Sequence, residues 1–225
     1  MKNRVFAIGL VTVVLALSPG LAVGATTSQL AWEDLFERES GSLGTPWVDP
    51  SGTFRVDQGS GRAYAAPGPP GSAWRDSGSI DHEIEVTPYK LTDAGSGNSI
   101  GGVTVGQVNA DNFVGYELVK TTPAFLNGPE AKSVLYVRVA GQETVLVTVS
   151  HPEFAIDQTV DVRLRKVGAV VEAYLDDVLD ARVRLNGEQK KALAGTNVGL
   201  VNFAGPNNYY EARAFRLIEV KKNSG

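Results

Sequence analysis

The sequence predicts an all-β protein, an antiparallel two-sheet β-sandwich that follows a cleavable signal peptide. Polar and apolar residues alternate through most of the chain, turn-forming residues separate the alternating segments, and only one segment resembles a helix. Alternation with a period of two is typical of strands with one buried face and one wet face. Many short strands without intervening helices favour a sandwich or barrel over a parallel α/β sheet.

The N-terminal segment indicates export. Lys2 and Arg4 precede an apolar run that ends at Leu17, before the sequence Ser-Pro-Gly. A membrane-spanning helix needs about 20 apolar residues, whereas a shorter run followed by small residues is typical of a secretory signal. We expect cleavage after Gly24 or Ala25. Residues 1–25 are then the signal peptide, and residues 26–225 form one domain that does not insert into a membrane, with its core at about 30–220.

Composition narrows the class of partner. The 225 residues include no cysteine, so stability has to come from a hydrophobic core and not from disulfides. Removal of residues 1–25 takes away two of the 21 basic residues and none of the 25 acidic ones, which leaves a net charge of about −6. A negative chain argues against nucleic acid as the partner, because phosphates require a basic face.

Individual strands can be placed from the alternation. The segment VDVRLRK puts Val160, Val162 and Leu164 on the buried side, and TVLVTVS (144–150) does the same for its three valines. We expect about ten to twelve strands, with turns near residues 110, 141, 167, 177 and 186 and one helical segment at 187–195. The Gly- and Pro-rich segments 66–74 and 92–102 are predicted to be exposed loops.

Four segments resemble jelly-roll domains of the concanavalin A-like lectin/glucanase superfamily, in particular the laminin G-like group. They are DLFERESGSLGTPWVDPSGTFRVDQGSGRAYAA (34–66), NADNFVGYEL (109–118), VDVRLRKVGAVVEAYLDDVL (160–179) and GTNVGLVNFAG (195–205). The resemblance covers roughly residues 30–220 and implies a jelly-roll fold. It does not determine function, because the group includes sugar binders, glycoside hydrolases and adhesion modules. The last strand, EARAFRL, lacks the acidic pair that many relatives carry before the Phe.

Three alternating carboxylates raise the question of hydrolysis. Asp81, Glu83 and Glu85 lie two apart in SIDHEIEV (79–86). Laminarinase-type hydrolases, which this stretch resembles, carry Glu, Asp and Glu at alternating positions, so only Glu85 matches. A retaining mechanism needs its two carboxyls about 5–5.5 Å apart, and the shorter Asp81 side chain would widen that gap.

The competing interpretation is an ordinary amphipathic strand. Its acidic side chains would then face solvent, with Ile80, His82, Ile84 and Val86 turned inward and His82 hydrogen-bonded in the sheet. The motif GNSIG (97–101) matches a nucleophile elbow around Ser99, but the sequence after it predicts a strand where such an elbow needs a helix.

Two segments carry residues suited to sugar recognition. GSAWRD contains Trp74 and Asp76, and GPNNYYE contains Asn208, Tyr209 and Tyr210. Sugar sites combine aromatic plates with amides and carboxylates that bind hydroxyl groups. The alternative is that Trp74 caps the core and that one of the two tyrosines points inward. Trp47, in the opening motif, is predicted to be a packing residue.

Calcium is the one metal that the sequence suggests. Asp34 and Asp111, together with Asp49 and Asp57, lie where loops could supply the 6 to 8 oxygen ligands that Ca²⁺ takes. Each of them also suits a turn or a cap. No His or Cys spacing for zinc is present, and no other cofactor is expected.

A set of basic residues is predicted to share one outer sheet face with Glu172 between them: Arg163, Arg165, Arg182 and Arg184. Cross-strand pairs of opposite charge explain this set as a solvated face. A patch for an anionic ligand is the alternative.

We therefore expect an exported, non-catalytic carbohydrate-binding or adhesion module that binds extracellular or cell-envelope polysaccharide, either secreted or periplasmic. Two alternatives remain open: a glycoside hydrolase that uses Asp81, Glu83 and Glu85, and a structural protein without a sugar site. A hydrolase should place the three carboxylates together in a groove lined by aromatic residues. A sugar binder should expose Trp74 or Tyr209 beside polar groups.

Overall fold

A computed structural model of the chain describes residues 26–65, 70–93, 98–121, 130–152, 158–202 and 208–222. Within these residues the fold consists of two antiparallel sheets and one short helix. The all-β prediction is confirmed. No helix in these ranges has the length and apolar character of a membrane span.

The larger sheet, sheet A, has ten strands. They are β1 (Thr26–Asp34), β2 (Gly41–Ser42), β3 (Phe54–Asp57), β4 (Arg62–Ala65), β6 (His82–Asp93), β11 (Thr159–Val167), β12 (Val170–Leu175), β13 (Val178–Arg184), β15 (Asn208–Ala212) and β16 (Phe215–Lys222). Their order is β13-β12-β11-β6-β15-β4-β3-β2. The first half of β6 also pairs with β16, which in turn pairs with β1.

The smaller sheet, sheet B, has six strands. They are β5 (Gly71–Asp76), β7 (Asn98–Asn109), β8 (Asn112–Thr121), β9 (Glu130–Val139), β10 (Gln142–Ser150) and β14 (Asn197–Asn202). Their order is β10-β9-β8-β7-β14-β5. Helix α1 (Gly187–Ala192) begins at an Asn186 cap whose side chain accepts a hydrogen bond from the Gln189 amide, which confirms the predicted helical segment.

The core lies between the sheets, where the alternating apolar residues meet. Val160, Val162 and Leu164 of β11 are at most 4% exposed, as their spacing predicts. From sheet B, β8 contributes Val114 and Tyr116 to the same core. Burial of each such side chain stabilises the fold by roughly 1.5–3 kcal/mol.

A polar cluster also joins the two sheets. Asp180 on β13 accepts hydrogen bonds from the Tyr116 hydroxyl (2.6 Å) and the Ser133 hydroxyl (2.5 Å), and its other oxygen lies 3.2 Å from His151 Nε2. The same Nε2 contacts Ser133 at 3.1 Å. A catalytic triad needs the histidine to reach serine and aspartate with different nitrogens. The cluster therefore serves as a cross-sheet contact, in which burial and Asp180 raise the pKa of Tyr116.

Several local predictions were wrong. Val145 is 54% exposed, because a bulge between Val145 and Val147 shifts the register of β10 on β9. Ile80 is 51% exposed, since it precedes the first residue of β6. Near the predicted turn at 186, Asn186 caps helix α1. The predicted loop 66–74 includes most of strand β5, and the predicted loop 92–102 includes the start of β7.

Candidate functional site

The outer face of sheet B carries a cluster separate from the core. Phe113, Tyr136 and Val201 are each at most 3% exposed and pack together, with Val134 beside them. The rings of Phe113 and Tyr136 meet edge to face, 5.9 Å between centroids. An aromatic cluster on the face opposite the core is a feature that the alternation did not predict.

Trp74 lies on the same outer face. Its neighbour Ala73 is buried in the core, so the alternation of β5 turns Trp74 outward, where it is half-buried. Trp74 pairs with Gly199 of β14, and a Cβ built on Gly199 would lie 3.0 Å from the Cβ of Trp74. The sequence candidate Trp74 is therefore a strand residue on the outer face of β5, and its backbone also bridges Val48 on the side away from β14. Its ring does not simply cap the core.

Gly199 and Gly115, with Thr104 between them, form a flat strip across the middle of this face, which we call the glycine floor. Gly199 pairs with Thr104, which pairs with Gly115, and Gly115 pairs with Tyr136. A Cβ on Gly115 would come within 2.3 Å of the Tyr136 ring, so the ring lies directly over this glycine. Glycine inside a strand often marks a close approach by a ring, a ligand or another backbone.

Glu117 is buried on this face and carries a perturbed carboxyl. It is 7% exposed and accepts a hydrogen bond of 2.5 Å from the Tyr136 hydroxyl. Burial raises the pKa of Glu117 from 4.5 to about 8, and Arg138 opposes this shift only in part. Burial also raises the pKa of Tyr136. The pair is therefore a neutral carboxyl and a neutral phenol at pH 7.

A cleft of about 220 Å³ borders the aromatic cluster. Its lining includes Ser51, Ser72, Asp111, Phe113, Arg138 and Asn202. Asn202 is fully buried, and neither its amide nitrogen nor its amide oxygen has a hydrogen-bond partner. Alternation along β14 puts this side chain on the same side as the core residue Leu200, and its amide atoms are not accessible from the cleft. Buried polar groups are nearly always hydrogen-bonded, so this amide is an exception.

The outer face of sheet A is different, because its charges are paired. Two rows of alternating sign cross the strands, and the salt bridges join Glu33 and Glu85 to Arg216, Glu83 to Arg163 and Arg165, and Glu172 to Arg165 and Arg182. Part of this face is a groove of about 500 Å³ that also contains Tyr174. The predicted basic face is thus a network of cross-strand ion pairs, as its solvated interpretation requires.

The three alternating carboxylates do not act as one group. Glu83 and Glu85 line the groove on sheet A, but Asp81 Oδ1 accepts a hydrogen bond of 2.6 Å from the Gly168 amide in the β11–β12 turn. Burial raises the pKa of Glu83, while Arg163 and Arg165 oppose the shift. The structure therefore brings together two of the three residues that the hydrolase hypothesis needs.

His82 is a structural residue. It is 1% exposed, and its Nε2 accepts a hydrogen bond of 2.9 Å from the Gly106 amide while Nδ1 lies 2.9 Å from the Ser79 carbonyl. Burial lowers the pKa of His82 to about 4, so the ring is neutral at pH 7. Ser99 lies inside β7, which gives the GNSIG motif a strand and not the strand-turn-helix of a nucleophile elbow.

The two calcium candidates have different surroundings. The Asp34 carboxylate already accepts hydrogen bonds within the protein, from Arg38, from the Trp47 indole (2.7 Å) and from the Phe36 amide (2.9 Å). Trp47 is buried, as predicted. Asp111 lies in the β7–β8 turn and lines the cleft. Among the described residues no group of three or more His, Cys, Asp or Glu side chains is arranged to hold a metal ion.

The remaining sugar candidates are spread over both sheets. Asp76 is exposed at the end of β5, and a hydrogen bond from the Gly78 amide lowers its pKa. Asn208, Tyr209 and Tyr210 belong to strand β15 of sheet A. Their side chains lie outside the described part of the structure.

Sequence reasoning missed two buried polar residues of sheet B, Glu117 on this face and Asn202 on the core side of β14. Glu117 lies in the segment NADNFVGYEL, whose alternation indicated only that it points away from the core. Two glycines that precede it were the available signal for a side chain packed flat on the sheet, Gly102 on the neighbouring strand β7 and Gly115 on β8 itself. No comparable signal marks Asn202.

Comparison with known proteins shows similarity at the level of the fold. No protein-family model and no curated protein sequence matches the chain. The carbohydrate-binding module CBM66 from Bacillus subtilis is similar over 79% of this chain and 94% of its own length, with a TM-score of 0.51 and 16% identity. The CBM2 module of the evolved Dit protein of Lactobacillus casei BL23 phage J-1 matches over 87% of this chain and 97% of its own, with a TM-score of 0.59 and 13% identity.

A catalytic domain shares the same architecture. The endo-1,3-β-glucanase (laminarinase) from Thermotoga petrophila matches over 88% of this chain and all of its own catalytic domain, with a TM-score of 0.54 and 13% identity. At these identities the fold is established and the laminin G-like subgroup stays a prediction. The chain therefore folds as an antiparallel jelly-roll β-sandwich, the fold of these carbohydrate-binding modules and of this laminarinase.

Proposed function

We propose that this chain is a non-catalytic carbohydrate-binding module that holds its glycan on the outer face of sheet B. The observation that carries the proposal is the half-buried Trp74, which stands beside a glycine floor and near a cleft with polar walls. Similar folds occur both in carbohydrate-binding modules and in a laminarinase, which supports a role with glycans but leaves binding and cleavage open.

Trp74 has the surroundings that sugar stacking requires. A sugar ring offers an apolar face to an aromatic plate and its hydroxyl groups to polar neighbours. The pairing of Trp74 with Gly199 leaves no side chain on that side of the indole to hinder an approaching ring. The hydroxyl-binding groups would come from Ser72, two residues away on the same strand, and from the cleft beyond it.

Hydrolysis is the second candidate, and a single observation favours it: two carboxylates, Glu83 and Glu85, share the groove on sheet A. A retaining enzyme needs one carboxyl free to attack and a second one protonated. Here Glu85 is hydrogen-bonded to Thr87 (2.7 Å) and Arg216 (3.1 Å), and Glu83 lies between two arginines. These contacts support the binding role over catalysis at this groove.

The cellular setting belongs to the same proposal. The N-terminal 25 residues have the pattern of a secretory signal but lie outside the described residues. We infer an exported protein that meets extracellular or cell-envelope polysaccharide, as an adhesion or targeting module of laminin G-like type. N-terminal sequencing of the protein from a secreting host should begin at Ala25 or Thr26, and a chain that retains Met1 would contradict export.

Binding on a glycan array tests the function, with two aromatic substitutions on opposite faces. Trp74→Ala should lower affinity for the bound glycan at least tenfold, about 1.4 kcal/mol, because the stacking plate is lost. Tyr174→Ala is the matched control, since Tyr174 is a half-buried aromatic residue in the groove of sheet A. Loss of binding with Tyr174→Ala alone would place the glycan on sheet A, and an array without any bound glycan would remove the proposal. Tyr210→Ala extends the test to β15.

A further inference from the structure

Two polar side chains stand beside Trp74 on the outer face of sheet B. Trp74 and Asp76 are alternate residues of β5, and Asp76 pairs directly with Asn197 of β14. The residue between them, Arg75, faces the other side, where its guanidinium carbon lies 3.4 Å from the centre of the Trp32 ring. Alternate residues of a strand share a face, and so do directly opposed residues of neighbouring strands. Trp74, Asp76 and Asn197 therefore all project outward.

A ligand can reach all three side chains. Asp76 is exposed, and Trp74 and Asn197 are half-buried. Directly opposed residues of antiparallel strands have Cβ atoms about 4.5–5.5 Å apart, and alternate residues of one strand are separated by roughly 6.4–6.8 Å. A sugar ring that stacks on Trp74 is therefore within reach of both polar side chains.

The Asp76 carboxylate is held in place but keeps lone pairs for a ligand. Its Oδ1 accepts a hydrogen bond of 2.9 Å from the Gly78 amide. Hydrogen bonds from this amide and from the Thr196 side chain lower the pKa of Asp76, so the group is ionised at pH 7. A carboxylate has about four acceptor sites, so these two bonds leave others open. A fixed group loses little conformational freedom when it binds a ligand.

Asn197 supplies the hydrogen-bond donor that a carboxylate lacks. Its amide has two N–H donors and an acceptor oxygen, whereas an ionised carboxylate only accepts. Within the described part of the chain its side chain has no hydrogen-bond partner, so the half-exposed amide can bind a ligand. A sugar hydroxyl both donates and accepts hydrogen bonds. The two residues together can therefore bind two neighbouring hydroxyl groups of one ring.

The negative charge of Asp76 discriminates between sugars. Trp74 and Asn197 carry no charge, and Arg75 faces the other side of the sheet. A sugar carboxylate next to Asp76 would meet a like charge with no basic side chain beside it on this face, which disfavours its binding. Hydroxyl groups meet no such repulsion.

We infer that Asp76 and Asn197 determine the specificity of this face, because they bind adjacent hydroxyl groups of the sugar unit that stacks on Trp74 and exclude a unit that carries a carboxylate. This inference rests on the proposed carbohydrate-binding function and names its ligand class, which is neutral sugars and not uronates.

Oxidation of the ligand tests this specificity. Each neutral glycan that binds on the array is compared with the same glycan after its primary hydroxyl groups have been oxidised to carboxylates, by isothermal titration calorimetry on the full mature chain. We expect the oxidised form to bind about tenfold more weakly or worse. Asp76→Asn should reduce this preference to about threefold or less, because the amide oxygen still accepts from Gly78 but the charge is gone. Asn197→Ala should weaken binding of the neutral form about threefold to tenfold, through loss of a hydrogen bond.

Asp57→Asn is the matched control for the change at Asp76. Asp57 also ends a strand, β3, and accepts hydrogen bonds from the Gly59 amide (3.1 Å) and the Ser60 hydroxyl (2.7 Å), but it belongs to sheet A. This variant removes the same charge far from Trp74 and should keep the full preference for the neutral form. An equal loss of preference in both variants would reduce the effect to net charge and overturn the inference.

The remaining outcomes separate this inference from the proposed function. The inference fails and the function survives if uronates bind as tightly as neutral glycans, or if Trp74→Ala abolishes binding while Asp76→Asn and Asn197→Ala change nothing. Asn197→Ala breaks no hydrogen bond to the described residues, so it should keep the Tm of the unsubstituted protein. A clear fall in its Tm would make Asn197 structural and overturn the inference. If no glycan binds at all, both fail.

Discussion

The carboxyl groups on the outer faces of the two sheets have opposite surroundings. On sheet A, the carboxylates of Glu33, Glu83, Glu85 and Glu172 each meet at least one arginine. On sheet B, Glu117 is buried as a neutral carboxyl under Tyr136. The ion pairs of sheet A can be explained by their contribution to the stability of the fold. The buried Glu117 is instead held by a hydrogen bond from Tyr136, and its burial opposes ionisation.

The largest expected effect comes from Glu117, whose folded-state pKa of about 8 lies above its ordinary value of 4.5. A raised pKa means that the folded protein prefers the protonated form. The stabilisation is complete below pH 4.5 and is lost as the pH rises through about 8. Because each pKa unit is worth about 1.4 kcal/mol, this contribution amounts to several kcal/mol.

Urea unfolding between pH 4.5 and 9 measures this contribution. The unsubstituted protein should lose stability steadily over that window, and Glu117→Gln, which keeps a neutral side chain of the same shape, should remove most of the loss. Glu143→Gln controls for the nearby charge, since Glu143 also raises the pKa of Glu117. An equal slope in Glu117→Gln and the unsubstituted protein would show that Glu117 ionises freely in the folded state.

A smaller effect is expected from the glycine floor of sheet B. Gly115→Ala places a methyl group 2.3 Å from the Tyr136 ring and should reduce the free energy of unfolding by about 1–3 kcal/mol. Displacement of the ring should also weaken its hydrogen bond to Glu117. Gly187→Ala is the control, because nothing lies within 4 Å of that position and alanine favours its helix. Equal stability of both variants would show that Tyr136 does not need the space above Gly115.

The sequence predicted the core more accurately than the site. The burial of Val160, Val162 and Leu164 follows from alternation alone, because β11 lies in the interior of a sheet with neighbours on both sides. The same reasoning was wrong at Val145, because β10 is an edge strand and a bulge can change its register without loss of a second partner. The local alternation of polar and apolar residues therefore predicts burial best in a strand whose register is fixed by partners on both sides.

The site could be predicted only in part for a related reason. Alternation turns Trp74 and Glu117 outward, but whether an outward side chain stays exposed depends on what packs over it. Trp74 remains half-buried, whereas Glu117 is covered by a tyrosine that follows it by nineteen residues in the sequence. The burial of Asn202 depends on the strand packing around the end of β14. Contacts between residues that are far apart in the sequence cannot be predicted from the alternation within one segment.

The smallest expected effect concerns the charge network of sheet A and tests whether it acts through stability. Glu83 is 8% exposed and Arg165 is 23% exposed, so a double-mutant cycle with Glu83→Gln and Arg165→Met should give a coupling of about 1 kcal/mol, reduced by solvent screening. The rim pair of Glu172 and Arg182, whose arginine is 63% exposed, should give less than about 0.5 kcal/mol. Both couplings should shrink in 1 M salt, the rim pair more completely. If neither coupling differed from zero while glycan binding fell in the Glu83 variant, the ion pairs of sheet A would have a role in recognition, and the contrast between the two faces would be lost.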